Sequence, residues 1–169
     1  MAIINRSSVS FNSVPPFPRR CVSARVMAAT FGLSGKDNKQ VVLDCEIMNE
    51  EKIEAEGKTY NLAGTKFRLY LPLEGDTIDK TFGFHSKVGL PDSIDDENPD
   101  TKAYVKVDFD ILLSSREKKA VVADPNNKGK FIPYRDAAGN EVLQGYEIQA
   151  NVDDVLGPAT YSNADKRPF

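Results

Sequence analysis

The sequence has no tryptophan, one histidine and two cysteines. A zinc-type centre needs several His or Cys ligands, so His85 alone cannot build one, and no Cys pair accompanies it. One histidine is enough for a Ser-His-Asp triad, but no Gly-x-Ser-x-Gly elbow is present to display a nucleophile. The phosphate-cradling runs G-x-G-x-x-G and G-x-x-x-x-G-K-[ST] are absent as well. No apolar run approaches the ~18 residues of a membrane-spanning helix; the longest, such as Ile111-Leu112-Leu113, are strand-sized. No catalytic group, metal or cofactor is therefore implied, and no integral membrane span.

Acidic residues are missing from one region only. Residues 1–36 carry Arg6, Arg19, Arg20, Arg25 and Lys36 and no Asp or Glu. The remainder holds 17 basic against 25 acidic residues, a net of −8. Phosphate neutralisation by Lys and Arg supplies most of the affinity for nucleic acid and anionic lipid, so such a body is expected to repel both. The sequence reads as having no basic stripe with interleaved aromatics, so nucleic acid is not among the expected partners.

The acid-free segment is rich in hydroxyls (Ser7, Ser8, Ser10, Ser13, Ser23), the composition of an organelle transit peptide. It lacks the continuous apolar core of a secretory signal. Pro15, Pro16 and Pro18 would end a mitochondrial-type amphipathic helix. The run Val22-Ser23-Ala24-Arg25-Val26-Met27-Ala28-Ala29 resembles the end of a chloroplast transit peptide, with cleavage expected near residues 27–29. The expectation is a plastid protein of the stroma or the stromal face of the thylakoid, with residues 1–36 outside the fold. Cys45 would then be the only thiol left, a small buried hydrophobe in a reducing compartment.

From residue 37 the dominant signal is period-2 alternation. Val41, Leu43, Cys45 and Ile47 share one face while Asp44 and Glu46 share the other; Phe67, Leu69, Leu71 and Leu73 repeat the pattern, as do Val105, Val107, Phe109 and Ile111. Residues 52–55 and 59–62 flank Glu56-Gly57-Lys58 as a hairpin, residues 130–134 and 141–144 flank a longer Gly-containing loop, and Tyr146, Ile148, Ala150 and Val152 alternate again. Residues 117–123 suit a strand or a helical turn. With turns recurring and no long helical period, the fold class is all-β with at most a short helix: one antiparallel β-sandwich or barrel over residues 37–156. Residues 157–169 read as an extended tail. Residues 74–103 read as a long loop with room for a strand over 81–88.

Several clusters carry residue types that could support chemistry. In residues 124–129, Asp124, Asn126 and Gly129 sit at the first, third and sixth positions of a calcium-loop pattern, but Lys128 and Arg135 occupy the fifth and twelfth, so a plain turn is expected. Asp92, Asp95, Asp96, Glu97 and Asp100 suit a solvated acidic loop, a weak divalent-ion site, or a docking patch for a basic partner. Glu50, Glu51, Glu54 and Glu56 read as a solvated face. Phe82, Phe84 and His85 suggest an aromatic strand or contact patch, and Arg167 with Phe169 a tail that anchors in a partner's groove. Partner contact is thus assigned to Phe82, Phe84, His85, Asp95, Asp96, Glu97, Arg167 and Phe169. The reading these support is a non-enzymatic plastid accessory, linker or assembly protein that binds a larger complex, a photosynthetic one included. The alternatives are a β-barrel holding a pigment, lipid or sugar, and an enzyme built on His85 and the 74–103 loop.

Overall fold

Residues 22–26 alternate apolar and polar side chains, and residues 20–33 form the longest strand among the described residues. The computed structural model describes residues 14–55 and 57–160. Strand β1 (Arg20–Leu33) turns Val22, Ala24 and Val26 inward, each at most 1% exposed. Its first half is sandwiched: residues 20–25 pair with β6 (Asp108–Lys119) on one side, and residues 24–26 pair with the end of β2 (Lys39–Ile47) on the other. Beyond Val26 it pairs with β2 alone. A bulge at Met27 marks the change, and bulges bend strands where a sheet must curl. A turn with Asp37 at positive φ returns the chain into β2.

This is a correction to the expected domain boundary. Residues 20–33 belong to the sheet, and cleavage near residues 27–29 would remove the ladder that, among the described residues, joins β6 to β2. The leader composition misled because a strand at the centre of a barrel needs only alternate apolar positions, which Arg and Ser in the other register do not disturb. Residues 1–13 lie outside the described residues.

The strands β3 (Lys52–Ala55) and β4 (Lys58–Asn61) form the expected hairpin. β5 (Lys66–Pro72) then pairs with β2, burying Phe67, Leu69 and Leu71. The main sheet runs β10-β6-β1-β2-β5, wholly antiparallel, with β10 (Val155–Pro158) at one edge and β9 (Leu143–Gln149) pairing the far half of β6. The all-β, antiparallel, single-domain class inferred from alternation holds. Among the described residues no helix is long and apolar enough to cross a membrane.

Three local expectations change. The 74–103 stretch contains an α-helix, α1 (Ile78–Val88), in place of a strand over 81–88. Thr81, Phe84, His85 and the half-buried Val88 follow i, i+3, i+4, i+7 spacing, but Thr81 and His85 are polar, so the helical period did not stand out as apolar. Gly89 ends the helix in the left-handed conformation, φ 79°, donating its N–H to the His85 carbonyl. α1 packs on β5 and β10 and so spans the gap between the two edge strands. The alternation from Val105 begins too early: Lys106 has φ 72°, the chain turns there, and β6 starts at Asp108. The tail begins later than residue 157, because β10 reaches Pro158 and Thr160 is pinned to Asp110.

The interior is one cluster. Phe17, Val22, Val26, Leu43, Ile47, Leu69, Leu71, Phe84, Phe109, Ile111 and Leu113 meet between the sheet's curled halves and the helix. At roughly 1.5–3 kcal/mol for each fully buried large apolar side chain, this cluster is the main force holding the barrel.

Candidate functional site

β6 does not stop where the core stops. After Leu113, its last core residue, it continues to Lys119, held by β9. Ala120 then bonds both neighbours, donating to the Val142 carbonyl (2.8 Å) and accepting from Tyr134 N–H (3.0 Å). From this junction projects a small hairpin, β7 (Val121–Ala123) against β8 (Phe131–Pro133). The ambiguous segment 117–123 is thus strand throughout apart from Ala120. Residues 130–134 pair with β7 and not with 141–144 as the sequence suggested, leaving a bridge between Arg135 and Glu141 to close the second loop.

Every residue of β7 and β8 is exposed. Phe131 is 69% exposed, Val121 55% and Tyr134 44%. Period-2 alternation puts Val121, Ala123, Phe131, Pro133 and Arg135 on one face, and Val122, Lys130, Ile132 and Tyr134 on the other. Lys118, Lys128 and Lys130 form no ion pair among the described residues, while Lys119 meets Glu117 (3.2 Å) and Arg135 meets Glu141 (3.7 Å). From 118 to 135 the arm carries five cations (Lys118, Lys119, Lys128, Lys130, Arg135) and one carboxylate, Asp124. The run Lys128-Gly129-Lys130-Phe131-Ile132-Pro133-Tyr134-Arg135 interleaves cations with aromatics, a signal that the acidic balance of the whole chain conceals.

The arm's tip is a self-satisfied turn. The Asp124 carboxylate accepts from Asn126 N–H and from Asn127 Nδ2, both at 2.9 Å, which holds its pKa below the ordinary range, the Asn127 bond contributing most. Its oxygens are thus committed within residues 124–127. No cluster of three or more His, Cys, Asp or Glu able to hold a metal occurs among the described residues.

The residues assigned to partner contact do not converge. His85 and Phe84 are buried under the barrel; Phe82 is half-buried. The His85 Nδ1 donates to the Pro91 carbonyl (2.6 Å), which fixes Nε2 as the acceptor for the Tyr104 hydroxyl (2.6 Å) in the neutral ring. Burial pushes the Tyr104 phenol up to about 12, with a smaller push from Asp100. No aromatic strand or surface patch exists here; the three rings Phe84, His85 and Tyr104 stitch α1 to the loop that follows it. Asp95, Asp96 and Glu97 are exposed: Asp95 caps its own turn by accepting from Glu97 and Asn98 N–H, while Lys39 reaches Glu97 (3.1 Å) and Asp96 (3.9 Å). They lie in the connection before β6, whereas the arm follows it, so a 12-residue strand of about 40 Å separates the two. Arg167 and Phe169 lie outside the described residues.

Among the described residues, grooves open on the barrel's outer surface. One, of about 350 Å³, runs between Tyr70 and Pro72 of β5 and the Ala150-Asn151-Val152 turn. The other, of about 240 Å³, lies over Met27, Asp44, Glu46, Lys66 and Arg68. Both open to solvent. Arg68 is bound to Asp44 across the β2–β5 ladder at 2.8 Å. Cys45 points inward and its thiol pKa is raised strongly by burial. No family model and no curated protein sequence matches the chain.

Proposed function

We propose that the chain is a non-enzymatic binding module in which the barrel is the support and the projecting arm is the working part. The observation that carries this reading is the complete exposure of β7 and β8. An isolated two-stranded hairpin is marginal in water, and this one buries no side chain of its own. The arm contributes nothing to the core cluster, so its apolar and cationic side chains have no role in folding the barrel. Apolar surface held away from a core is ordinarily contact surface.

The same facts weigh against the alternatives. An enzyme built on His85 needs a ring that reaches substrate, and both ring nitrogens are engaged inside the protein. A pigment- or lipid-holding barrel needs inward side chains that line a chamber, whereas these side chains meet one another. The connectivity, three antiparallel strands, a capping helix and two returning strands in the order 3-2-1-4-5, is that of the partly open barrels that bind oligonucleotides and oligosaccharides. That is an analogy of fold, and fold alone does not fix function. The proposal of a plastid setting now rests on residues 1–13 only, and membership of a larger complex remains a proposal about what the arm meets.

The test is excision. Replacing residues 121–133 with a short Gly-containing turn should leave the melting temperature within about 3 °C, because no core residue is removed. A fall of more than about 10 °C would make the arm part of the fold and overturn the reading.

A further inference from the structure

We infer that the chain pairs with a second copy of itself through the free edge of β1, residues 28–33 of the two copies running antiparallel about a two-fold axis. The contact belongs to the barrel and not to the arm. β1 has a neighbour on both sides only up to Val26. Val26 turns both backbone groups to the β6 side, donating to the Val107 carbonyl (3.0 Å) and accepting from Lys106 N–H (2.8 Å). Past the bulge the β2 ladder runs on to Leu33, but no described strand or loop backbone bonds the other side. Which groups face that side is fixed by Lys39, which stands opposite Leu33. Its carbonyl accepts from Leu73 N–H (2.9 Å) and its N–H donates to the Glu74 carboxylate, so both serve the β5 side and neither bonds Leu33. Residues of an antiparallel pair alternate between bonding each other and bonding outward. Leu33, Phe31 and Ala29 therefore point their N–H and C=O groups away from β2.

Sheet edges are ordinarily blunted by charge, proline, shortness or cover. The other described edges follow that rule. β3 and β4 carry Lys52, Glu54 and Lys58, and β7 and β8 are three residues each, with Pro133 in β8. α1 packs on β5 and β10, and Val14 N–H bonds the Tyr146 carbonyl of β9 (3.3 Å). The run Ala28-Ala29-Thr30-Phe31-Gly32-Leu33 has neither charge nor proline, and Phe31 is 37% and Leu33 63% exposed. A copy of the same segment is the occupant because the segment fits itself. Opposing Phe31 to Phe31 sets each Ala29 against a Leu33, the register in which every outward N–H of the three residues meets an outward C=O. It also brings the two Phe31 rings together as a cross-strand pair on the face shared with Val41 and Leu43. A charged segment would meet its own charge in a two-fold contact. The body, at a net of −8 over residues 37–169, repels a second copy, and this uncharged edge is where two such bodies can touch.

Sedimentation equilibrium of the full chain over ~5–500 μM protein reads the mass, and amide hydrogen exchange at the same concentrations reads the site. The expected result is a rise from one to two chain masses, with exchange at Ala29, Phe31 and Leu33 slowing in step. F31K sets two ammonium groups face to face and should weaken the dimer by at least about 10-fold. L33P removes an N–H that serves only the second copy. It should weaken the dimer as well and leave the melting temperature of the monomer within about 3 °C. Circular dichroism checks that each variant is folded. A chain that stays monomeric throughout, or a dimer that both variants leave intact, would overturn the inference. So would a dimer broken by F131K in the arm and not by F31K, or growth past two copies, since a two-fold pairing uses up both edges. A chain ended at Thr160 that dimerises where the full chain does not would also overturn it, by giving the edge to residues 161–169.

Discussion

A chain that starts at Val14 should fold, and one that starts at Ala28 should not. The second start is what cleavage near residues 27–29 would leave. It removes Phe17, Val22, Ala24 and Val26 from the core, all at most 7% exposed. The two valines and the phenylalanine are worth about 1.5–3 kcal/mol each, and the alanine about 1. Lost with them are the ladder from residues 20–25 to β6, the bidentate Arg25–Asp108 pair (2.6 and 3.0 Å) and the Ser23 bond to Asp110. The side chains alone come to roughly 5.5–10 kcal/mol, against a total stability of about 5–15 for a domain of this kind. The loss is also topological, because β6 with β9 and β10 would have no strand joining it to β2 and β5. Both chains can be produced and compared by circular dichroism and urea titration. The Val14 chain should melt cooperatively; the Ala28 chain should show no cooperative transition. Amino-terminal sequencing of the protein from its source should likewise find a start at or before Val14. A cooperative Ala28 chain, within about 2 kcal/mol of the longer one, would refute the placement of β1 and return residues 1–36 to the status of a detachable leader.

Other substitutions probe the buried polar groups. Asp110 is buried and accepts from Ser23 Oγ (2.5 Å), Thr160 Oγ1 (2.8 Å) and Thr160 N–H (3.1 Å), so Asp110→Ala should cost about 2–4 kcal/mol in urea titration by stranding those donors, and Asp110→Asn should cost less. Tyr104→Phe should cost about 1–2 kcal/mol at neutral pH by leaving His85 Nε2 without its donor. The Tyr104 effect should shrink above pH 10. There the unfolded chain gives up the phenol proton while the folded one keeps it up to about pH 12, so the unfolded state binds fewer protons and wild-type stability falls as pH rises. The phenylalanine variant has no such proton, and a gap between the two that stays constant from pH 9 to 11.5 would contradict the burial of that hydroxyl. Cys21 is exposed and Cys45 buried with its thiol pKa pushed up, so a disulfide reagent at neutral pH should titrate one thiol in the native chain and two only after unfolding.

Some of this was legible in the sequence because strands declare themselves by alternation. Alternate residues from Val41 to Ile47 and from Phe67 to Leu73 face inward as their spacing says, and the hairpin at Gly57 closes with that glycine at φ 77°. The same rule makes residues 22–26 of β1 legible, but their composition reads as a leader: in the fold Arg25 and Ser23 are the partners of Asp108 and of the buried Asp110. Charge pairing across strands distant in sequence leaves no local trace, so acid-free residues 20–33 looked unattached when the acids facing Ser23 and Arg25 lay more than 80 positions away and the one facing Arg20 lay 31 away. The helix was missed for a related reason: its buried face is carried partly by Thr81 and His85, whose partners, the Pro72 and Pro91 carbonyls and the Tyr104 hydroxyl, are supplied by other segments.

The arm shows the opposite failure, a local signal cancelled by a global sum. Net charge governs long-range attraction, and at physiological salt the screening length is about 8 Å. The acidic connection at residues 92–100 stands beyond the other end of a strand several times that length. The potential beside Lys128 and Lys130 is therefore set by the charges of residues 117–141, five cations and four carboxylates of which Glu117 and Glu141 are paired to Lys119 and Arg135, far more than by the −8 of the body.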